Sequence, residues 1–181
     1  EELRAYLEII QKKYNKMNFR LSFEKDALLD TGGGIAKGLK YISSDLFFII
    51  NSDTIRVDKK NNTMNEMLCA WDAKSMDFLL LLIPKERVNH YGKLGDFHLS
   101  KNNIVTRINS NSLNQYVYTG LCIASTSVFL NTSENIFSIN KLWDTSILRS
   151  RVYGMIYPGY WLHVGTPEEL EYAEKKLRVI L

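Results

Sequence analysis

The sequence predicts an α/β protein, and three observations carry that prediction. Phe47-Phe48-Ile49-Ile50 is an unbroken apolar run that ends in Asn51-Ser52-Asp53, the pattern of a central strand covered on both faces in a parallel sheet. Asp77-Phe78-Leu79-Leu80-Leu81-Leu82-Ile83 repeats the pattern and is closed by Pro84, which cannot continue a ladder. Around these runs the apolar residues recur at helical spacing, so helices and strands alternate through the first half of the chain.

Size and charge narrow the class. With 181 residues and 45% hydrophobic content, the chain buries one core, and a single domain over 1–181 is the natural count. No segment reaches the roughly 20 apolar residues of a membrane span, and no basic-then-apolar leader opens the chain. A cytoplasmic protein with no membrane partner is the expectation. The net charge of +3 comes from 23 basic and 20 acidic residues, with no basic stripe interleaved with aromatics. Nucleic acid is not a favoured partner, whereas a small phosphorylated molecule suits a mildly basic cleft. Cys69 and Cys122 fall in a helical and a strand-like pattern and read as small buried hydrophobes. The chain opens on Glu1 and enters a helix at once, so it reads as a fragment.

Leu3, Leu7, Ile10 and Tyr14 form the apolar stripe of a first helix ending near Asn15. Asn18 to Phe23 alternates polar and apolar with the period of a strand. Glu24 to Ile35 reads as a loop containing Gly32-Gly33-Gly34. Three glycines in a row belong where backbone approaches something closely or turns through positive φ. Ile35, Leu39 and Ile42 then give a short helix, whose free N–H groups suit an anion or a flat polar ligand.

Asp53 stands at the carboxyl end of its strand, where open α/β sheets bind ligands, although a lone Asp there also serves as a turn former. Asp58 to Thr63 is polar loop, and Met64, Met67, Leu68 and Trp71 make a helical core face. The second half is richer in strands. Tyr91 to Leu99 and Asn103 to Ile108 read as a hairpin turning at Lys101-Asn102-Asn103. Gln115 to Ser125 is a strand whose internal Gly120 marks a bulge or a close approach. Ser138 to Arg149 is helical and Val152 to Tyr157 strand-like. Pro167 opens a last helix with Leu170, Ala173 and Leu177 on its apolar face.

Four segments together resemble a known family. Leu29-Asp30-Thr31-Gly32-Gly33-Gly34-Ile35, Ile50-Asn51-Ser52-Asp53, Tyr118-Thr119-Gly120 and Trp161-Leu162-His163-Val164-Gly165-Thr166-Pro167-Glu168 occur in the order and rough spacing of sugar-1-phosphate nucleotidyltransferases. The likeness is strongest to the mannose-1-phosphate guanylyltransferase and N-acetylmuramate-1-phosphate uridylyltransferase branch. It runs from Glu1 to about Leu177. It implies a Rossmann-like nucleotide-diphospho-sugar transferase sheet with a small antiparallel insertion over the sugar site. It also implies joining of a nucleoside triphosphate to a sugar-1-phosphate, with release of pyrophosphate.

The same resemblance assigns roles. Thr31, Gly32, Gly33 and Asn51 fall to the nucleotide, and Gly95, Asp96, Thr119 and Gly120 to the sugar. Asp53 is the catalytic carboxylate and binds Mg²⁺, which one or two carboxylates plus phosphate oxygens usually hold. Many members carry a second metal-binding Asp where this chain has His163. His163 then binds Mn²⁺, contacts phosphate, or is structural, and the sequence does not separate the three. Ser52 replaces the family's glycine.

The family also begins with a strand, a Gly-rich loop whose arginine grips the triphosphate, and a Pro-Lys-Pro segment, and these are not in the chain. The expectation is a C-terminal part lacking the first βα unit, which needs a separately encoded N-terminal part for full activity. A catalytically inactive remnant or sugar-nucleotide-binding module is the alternative. A metal-dependent glycosyltransferase is disfavoured, because it would want a second acid where Asn51 stands.

Overall fold

The computed structural model describes residues 2–59, 62–88, 94–108, 114–130, 132 and 135–181. In chain order its elements are α1 (Glu2–Lys13), α2 (Asp30–Gly38), β1 (Leu46–Ile50), β2 (Thr54–Val57), α3 (Thr63–Ala70), β3 (Phe78–Pro84) and β4 (Phe97–Leu99). They continue with β5 (Val105–Arg107), β6 (Tyr116–Ser125), α4 (Ile139–Leu148), β7 (Val152–Ile156), β8 (Tyr160–His163) and α5 (Pro167–Ile180). These elements fall into two compact units, Glu1–Ser43 with Thr132–Ile139 and Ser44–Asn131 with Asn140–Leu181.

In the first unit the glycines do not form a loop. Thr31 to Gly34 lie in the first turns of α2. Their smallness answers a close approach rather than positive φ: a Cβ on Gly32 would lie 2.3 Å from the Phe137 ring, and one on Gly33 2.2 Å from the Asn135 carbonyl oxygen. Gly33 N–H donates to Phe137 O at 3.0 Å and Phe137 N–H returns to Leu29 O at 3.2 Å. Packing of the 135–137 backbone thus overrides the low helix propensity of glycine. The strand expected at Asn18 to Phe23 is not formed. A period of two says which face a strand would bury but supplies no ladder partner, and among the described residues this segment has none.

The second unit is built on β3, whose residues Phe78 to Ile83 are all buried. The main sheet runs β5-β4-β6-β3-β7, with β1 also on β6. Among the described residues only β3 and β7 pair in parallel, so the parallel-sheet setting expected for Phe47 to Ile50 is corrected. β1 pairs antiparallel with β6, Leu46 opposite Ser125 and Ile50 opposite Leu121. Its residues are half-buried and Ile50 is 52% exposed. The β4–β5 hairpin turns where expected, while Tyr91 to Lys93 of that prediction lie outside the described residues.

Both faces of the sheet carry apolar cover. One bears Met67 from α3 with Leu79, Leu81, Ile123, Tyr157 and Trp161. On the other, Trp143 of α4 meets Phe78, Phe97 and Tyr118 edge-on, with ring centroids 6.5, 5.7 and 5.0 Å away. Full burial of each such side chain is worth about 1.5–3 kcal/mol. Asp77 ties the end of α4 to β3, accepting from Ser146 Oγ at 2.9 Å and Arg151 Nε at 2.6 Å. One expectation fails on α3: Cys122 is buried, but Cys69 is exposed. It lies two positions from Met67, and two residues of helix turn a side chain to the far side.

Two short strands escape a sequence reading altogether. β2 and β8 form a separate antiparallel ribbon in which Thr54 faces His163 and Val57 faces Tyr160. Among the described residues, no helix is long and apolar enough to cross a membrane.

Candidate functional site

The site grows from the turn that joins β1 to β2. Gly120, inside β6, has φ of 78°, and the β3–β6 register slips at this point, from Leu80 opposite Cys122 to Leu82 opposite Tyr118. Such a bulge re-aims the backbone. It lets the turn close in, so that Asn51 N–H donates to Gly120 O at 2.7 Å. Asp53 O then accepts from Val164 N–H at 2.8 Å, which fastens the turn to the end of β8.

That fastening brings two side chains together from 110 residues apart in sequence. Asp53 Oδ2 lies 3.5 Å from His163 Nε2. Asp53 Oδ1 is shut off from solvent and meets no hydrogen-bond donor among the described residues, while the side chain as a whole is 48% exposed. On the other side of the imidazole, His163 Nδ1 is 2.8 Å from Glu169 Oε2. The ring leans against Trp161, centroids 6.1 Å apart.

Glu169 is held by its own helix. Thr166 caps α5, its Oγ1 accepting from Glu169 N–H at 3.2 Å while Glu169 Oε2 accepts from Thr166 N–H at 3.0 Å. This is a capping box. Burial alone would raise the Glu169 pKa, but bonds from His163 and from the Thr166 and Gly165 N–H groups prevail and hold it below the usual glutamate value. Sequence reasoning passed over Glu169, although the Thr-x-x-Glu spacing ahead of an apolar helix face was legible.

Arg56 was also passed over. It sits half-buried behind the turn, donating from Nη1 to Thr54 Oγ1 at 2.7 Å and to Thr119 O at 3.0 Å. Burial lowers its pKa, partly offset by Tyr157, Tyr118 and Asp58. Beside His163 and Glu169 opens a cleft of about 570 Å³ whose lining includes Lys59, Arg87, Tyr160 and Lys176. Arg87 is itself anchored to the carbonyls of Tyr157, Pro158 and Gly159 at 2.8, 3.0 and 2.7 Å.

The remaining residues fall in three places. Asn51 and Gly120 join Asp53 and His163, since a Cβ on Gly120 would lie 2.9 Å from Asn51 Cβ. Gly95 and Asp96 precede β4 and pack on the start of β6: Gly95 N–H donates to Gln115 Oε1, and Asp96 Oδ2 accepts from Tyr118 N–H, both at 2.8 Å. Thr119 is fully buried, with its hydroxyl donating to Leu81 O at 2.9 Å. Thr31, Gly32 and Gly33 belong to the other unit, where Thr31 Oγ1 accepts from Ile139 N–H at 3.0 Å.

The donor set fits a divalent cation as far as it goes. Among the described residues no cluster of three or more His, Cys, Asp or Glu is disposed to hold a metal. Asp53 and His163 would supply two donors, leaving the rest to water or phosphate, the usual division where a substrate phosphate shares the ion. The orphaned Oδ1 of Asp53 is the observation that favours one.

No family model matches the chain. The N-acetylmuramate alpha-1-phosphate uridylyltransferase of Caulobacter vibrioides is 29% identical over 157 residues, covering 87% of this chain. The chain spans 65% of that relative's length. The D-glycero-alpha-D-manno-heptose 1-phosphate guanylyltransferase of Aneurinibacillus thermoaerophilus is 25% identical over 171 residues, covering 92% of this chain and 70% of its own. Among solved structures, HddC from Yersinia pseudotuberculosis complexed with GMP-PN superposes with a TM-score of 0.66 at 20% identity. It covers 96% of this chain and 74% of that one. The structural likeness establishes the fold.

Proposed function

We propose, from its kinship with sugar-1-phosphate nucleotidyltransferases, that this chain carries the metal and sugar side of such an enzyme. The observation that carries the reading is the pairing of Asp53 and His163 at 3.5 Å, with Asp53 Oδ1 buried and unpartnered among the described residues. A carboxylate held in that condition at a strand end is poised for a cation and the phosphate it accompanies.

In the reaction, an oxygen of the sugar-1-phosphate attacks the α-phosphorus of a nucleoside triphosphate. The bond to the bridging oxygen breaks and pyrophosphate leaves. Asp53 and His163 would hold Mg²⁺ or Mn²⁺, which neutralises charge developing on the α-phosphate. What the chain itself contributes is position: the bonds from Asn51 to Gly120 and from Val164 to Asp53 fix the turn before any ligand arrives. On the resemblance, Asn51 falls to the nucleotide and Gly95, Asp96, Thr119 and Gly120 to the sugar, with Thr119 fully buried, its hydroxyl on Leu81 O and its carbonyl taken by Arg56 and Trp161. Thr31, Gly32 and Gly33 join the nucleotide side on the resemblance alone, since Phe137 and Asn135 already account for the two glycines.

Dependence on a further phosphate-binding segment belongs to the same reading. β1 carries a ladder on its β6 side, and among the described residues its other edge takes none. An edge of that kind is a template for another strand. A strand leading a phosphate-gripping loop would bring the triphosphate to the Asp53 end of β1.

The test is pyrophosphate release with N-acetylmuramate-1-phosphate and UTP, and with mannose-1-phosphate and GTP. Each pair is run on the chain alone and mixed with any polypeptide encoded immediately upstream. Release is expected in the mixture, and Asp53→Asn should lower it about 10²–10³-fold, the scale of a lost electrostatic contact in the transition state. Release that Asp53→Asn leaves untouched would sink the reading.

A further inference from the structure

We infer that Glu169 is a positioning residue that fixes His163 as a nitrogen donor beside Asp53, so that the site takes a first-row transition ion such as Mn²⁺ in preference to Mg²⁺. This rests on the reading of Asp53 as a metal-binding carboxylate and deepens it.

The geometry of Glu169 is set without the histidine. The capping box places its carboxylate at the start of α5, and Oε2 accepts from Thr166 N–H at 3.0 Å as well as meeting His163 Nδ1 at 2.8 Å. A deprotonated carboxylate only accepts, so Nδ1 is the protonated nitrogen of that contact. In the neutral ring the lone pair is then on Nε2, directed towards Asp53. The ring is confined from two further sides: Trp161 packs on it, and a Cβ on Gly165 would lie 2.6 Å from His163 Cε1. Gly165 therefore leaves room for an imidazole that a larger residue would crowd.

The separation on the far side matches a shared ion better than a direct bond. A charge-assisted N–H···O contact is about 2.7–2.9 Å, and Nε2 to Asp53 Oδ2 is 3.5 Å. Two donors each about 2.1–2.2 Å from one cation stand roughly 3–3.5 Å apart at the angles of tetrahedral or octahedral coordination. The other oxygen of the same carboxylate, Asp53 Oδ1, is buried and meets no donor among the described residues.

A carboxylate that orients a histidine from its outer nitrogen raises the basicity of the inner one and fixes its tautomer. Nitrogen donors rank transition ions above Mg²⁺, which prefers oxygen throughout. A carboxylate at position 163 would favour Mg²⁺, and the His163 and Glu169 pair shifts the preference.

The measurement is Mn²⁺ binding to the full chain by electron paramagnetic resonance, with pulsed detection of ¹⁴N coupling and with Mg²⁺ as competitor. The unaltered chain should bind Mn²⁺ with a histidine nitrogen coupling and resist displacement by equimolar Mg²⁺. Glu169→Gln keeps a side chain able to complete the capping box and should weaken Mn²⁺ about 10–100-fold while changing Mg²⁺ affinity little. His163→Asp should abolish the nitrogen coupling and bring the two affinities together. Bound Mn²⁺ without nitrogen coupling, or unchanged affinity in Glu169→Gln, overturns the inference. Asp53→Asn separates the two claims. If it abolishes Mn²⁺ binding while Glu169→Gln does nothing, only the positioning role falls. If it leaves binding unchanged, or the unaltered chain binds no Mn²⁺, the metal reading of Asp53 falls with it.

Discussion

Gly120 and Asn51 hold each other in place. A Cβ on Gly120 would stand 2.9 Å from Asn51 Cβ and 3.0 Å from Thr54 Oγ1, and Gly120 has φ of 78°. The same contact carries the 2.7 Å bond from Asn51 N–H to Gly120 O. Gly120 is thus the point on β6 against which the Asp53 turn rests.

Gly120→Ala is therefore expected to act twice. Left-handed backbone is strained for alanine by about 1–3 kcal/mol, and the new methyl pushes the turn away from β6. Thermal unfolding should show the loss of stability. Mn²⁺ titration should show weaker binding at a temperature where the variant is still folded. A variant that binds Mn²⁺ like the unaltered chain would mean that Asp53 does not depend on this support.

The glycines of α2 predict opposite signs at two positions of the same helix. Gly33→Ala drives a Cβ to 2.2 Å from the backbone oxygen of Asn135, an atom that cannot swing aside, whereas a Cβ at Gly38 meets nothing within 4 Å. Gly38→Ala should stabilise by about 0.5–1 kcal/mol through helix propensity. Gly33→Ala should destabilise by about 1–3 kcal/mol through overpacking. Denaturant midpoints of the two variants decide it, and equal shifts would contradict the packing of residues 135–137 on α2.

Much of this architecture is legible in the residues that form it. β3 reads itself out because Phe78 to Ile83 are apolar without interruption and are buried on both faces. α5 does so because Pro167 and the Thr166 cap mark its first turn. What stayed hidden depends on partners distant in sequence. Asn18 to Phe23 has the rhythm of a strand without a ladder. Thr31 to Gly34 have the composition of a loop, and only Phe137, about a hundred residues on, shows why glycine is needed in a helix. β2 and β8 are four residues each, too short for periodicity to reveal. In the site, Asp53 and His163 were each readable, but their 3.5 Å separation is a product of the β2–β8 ribbon.

The two thiols should differ sharply. Cys122 is fully buried, and burial pushes its pKa up to about 12 against a smaller lowering from Tyr118, so little thiolate exists near neutrality. Cys69 is exposed on α3. A thiol reagent at pH 7.5 should modify Cys69 and leave Cys122 until denaturant is added. The released chromophore would then rise from one to two equivalents. Cys69→Ser should remove the fast phase, and a fast phase that survives it would place Cys122 within reach of solvent.

Acid stability follows from two carboxylates held below their ordinary values. At Asp58, burial raises the pKa, but the Thr63 hydroxyl at 2.6 Å, the Thr63 N–H at 3.1 Å and Tyr157 outweigh it and hold the carboxyl below its ordinary value. Glu169 is lowered in the same sense by His163 and the helix-start N–H groups, after its own burial term. A carboxyl whose folded pKa is depressed binds protons more readily in the unfolded chain. Its contribution is therefore fully present above the unfolded value, 3.8 for Asp58 and 4.5 for Glu169, and is lost as pH falls through the folded value. The melting temperature should accordingly hold as pH is lowered towards 5 and fall below about 4.5. Thr63→Val should remove the hydroxyl's share and flatten that fall without moving the plateau pH, while Glu169→Gln removes the titrating group itself. The discriminating result is the difference between each variant and the unaltered chain. If Thr63→Val costs the same well below pH 3.8 as at pH 7, the Asp58 carboxylate is not what the Thr63 hydroxyl stabilises. If it costs less at the lower pH, the bond at the start of α3 is ionic in the sense required.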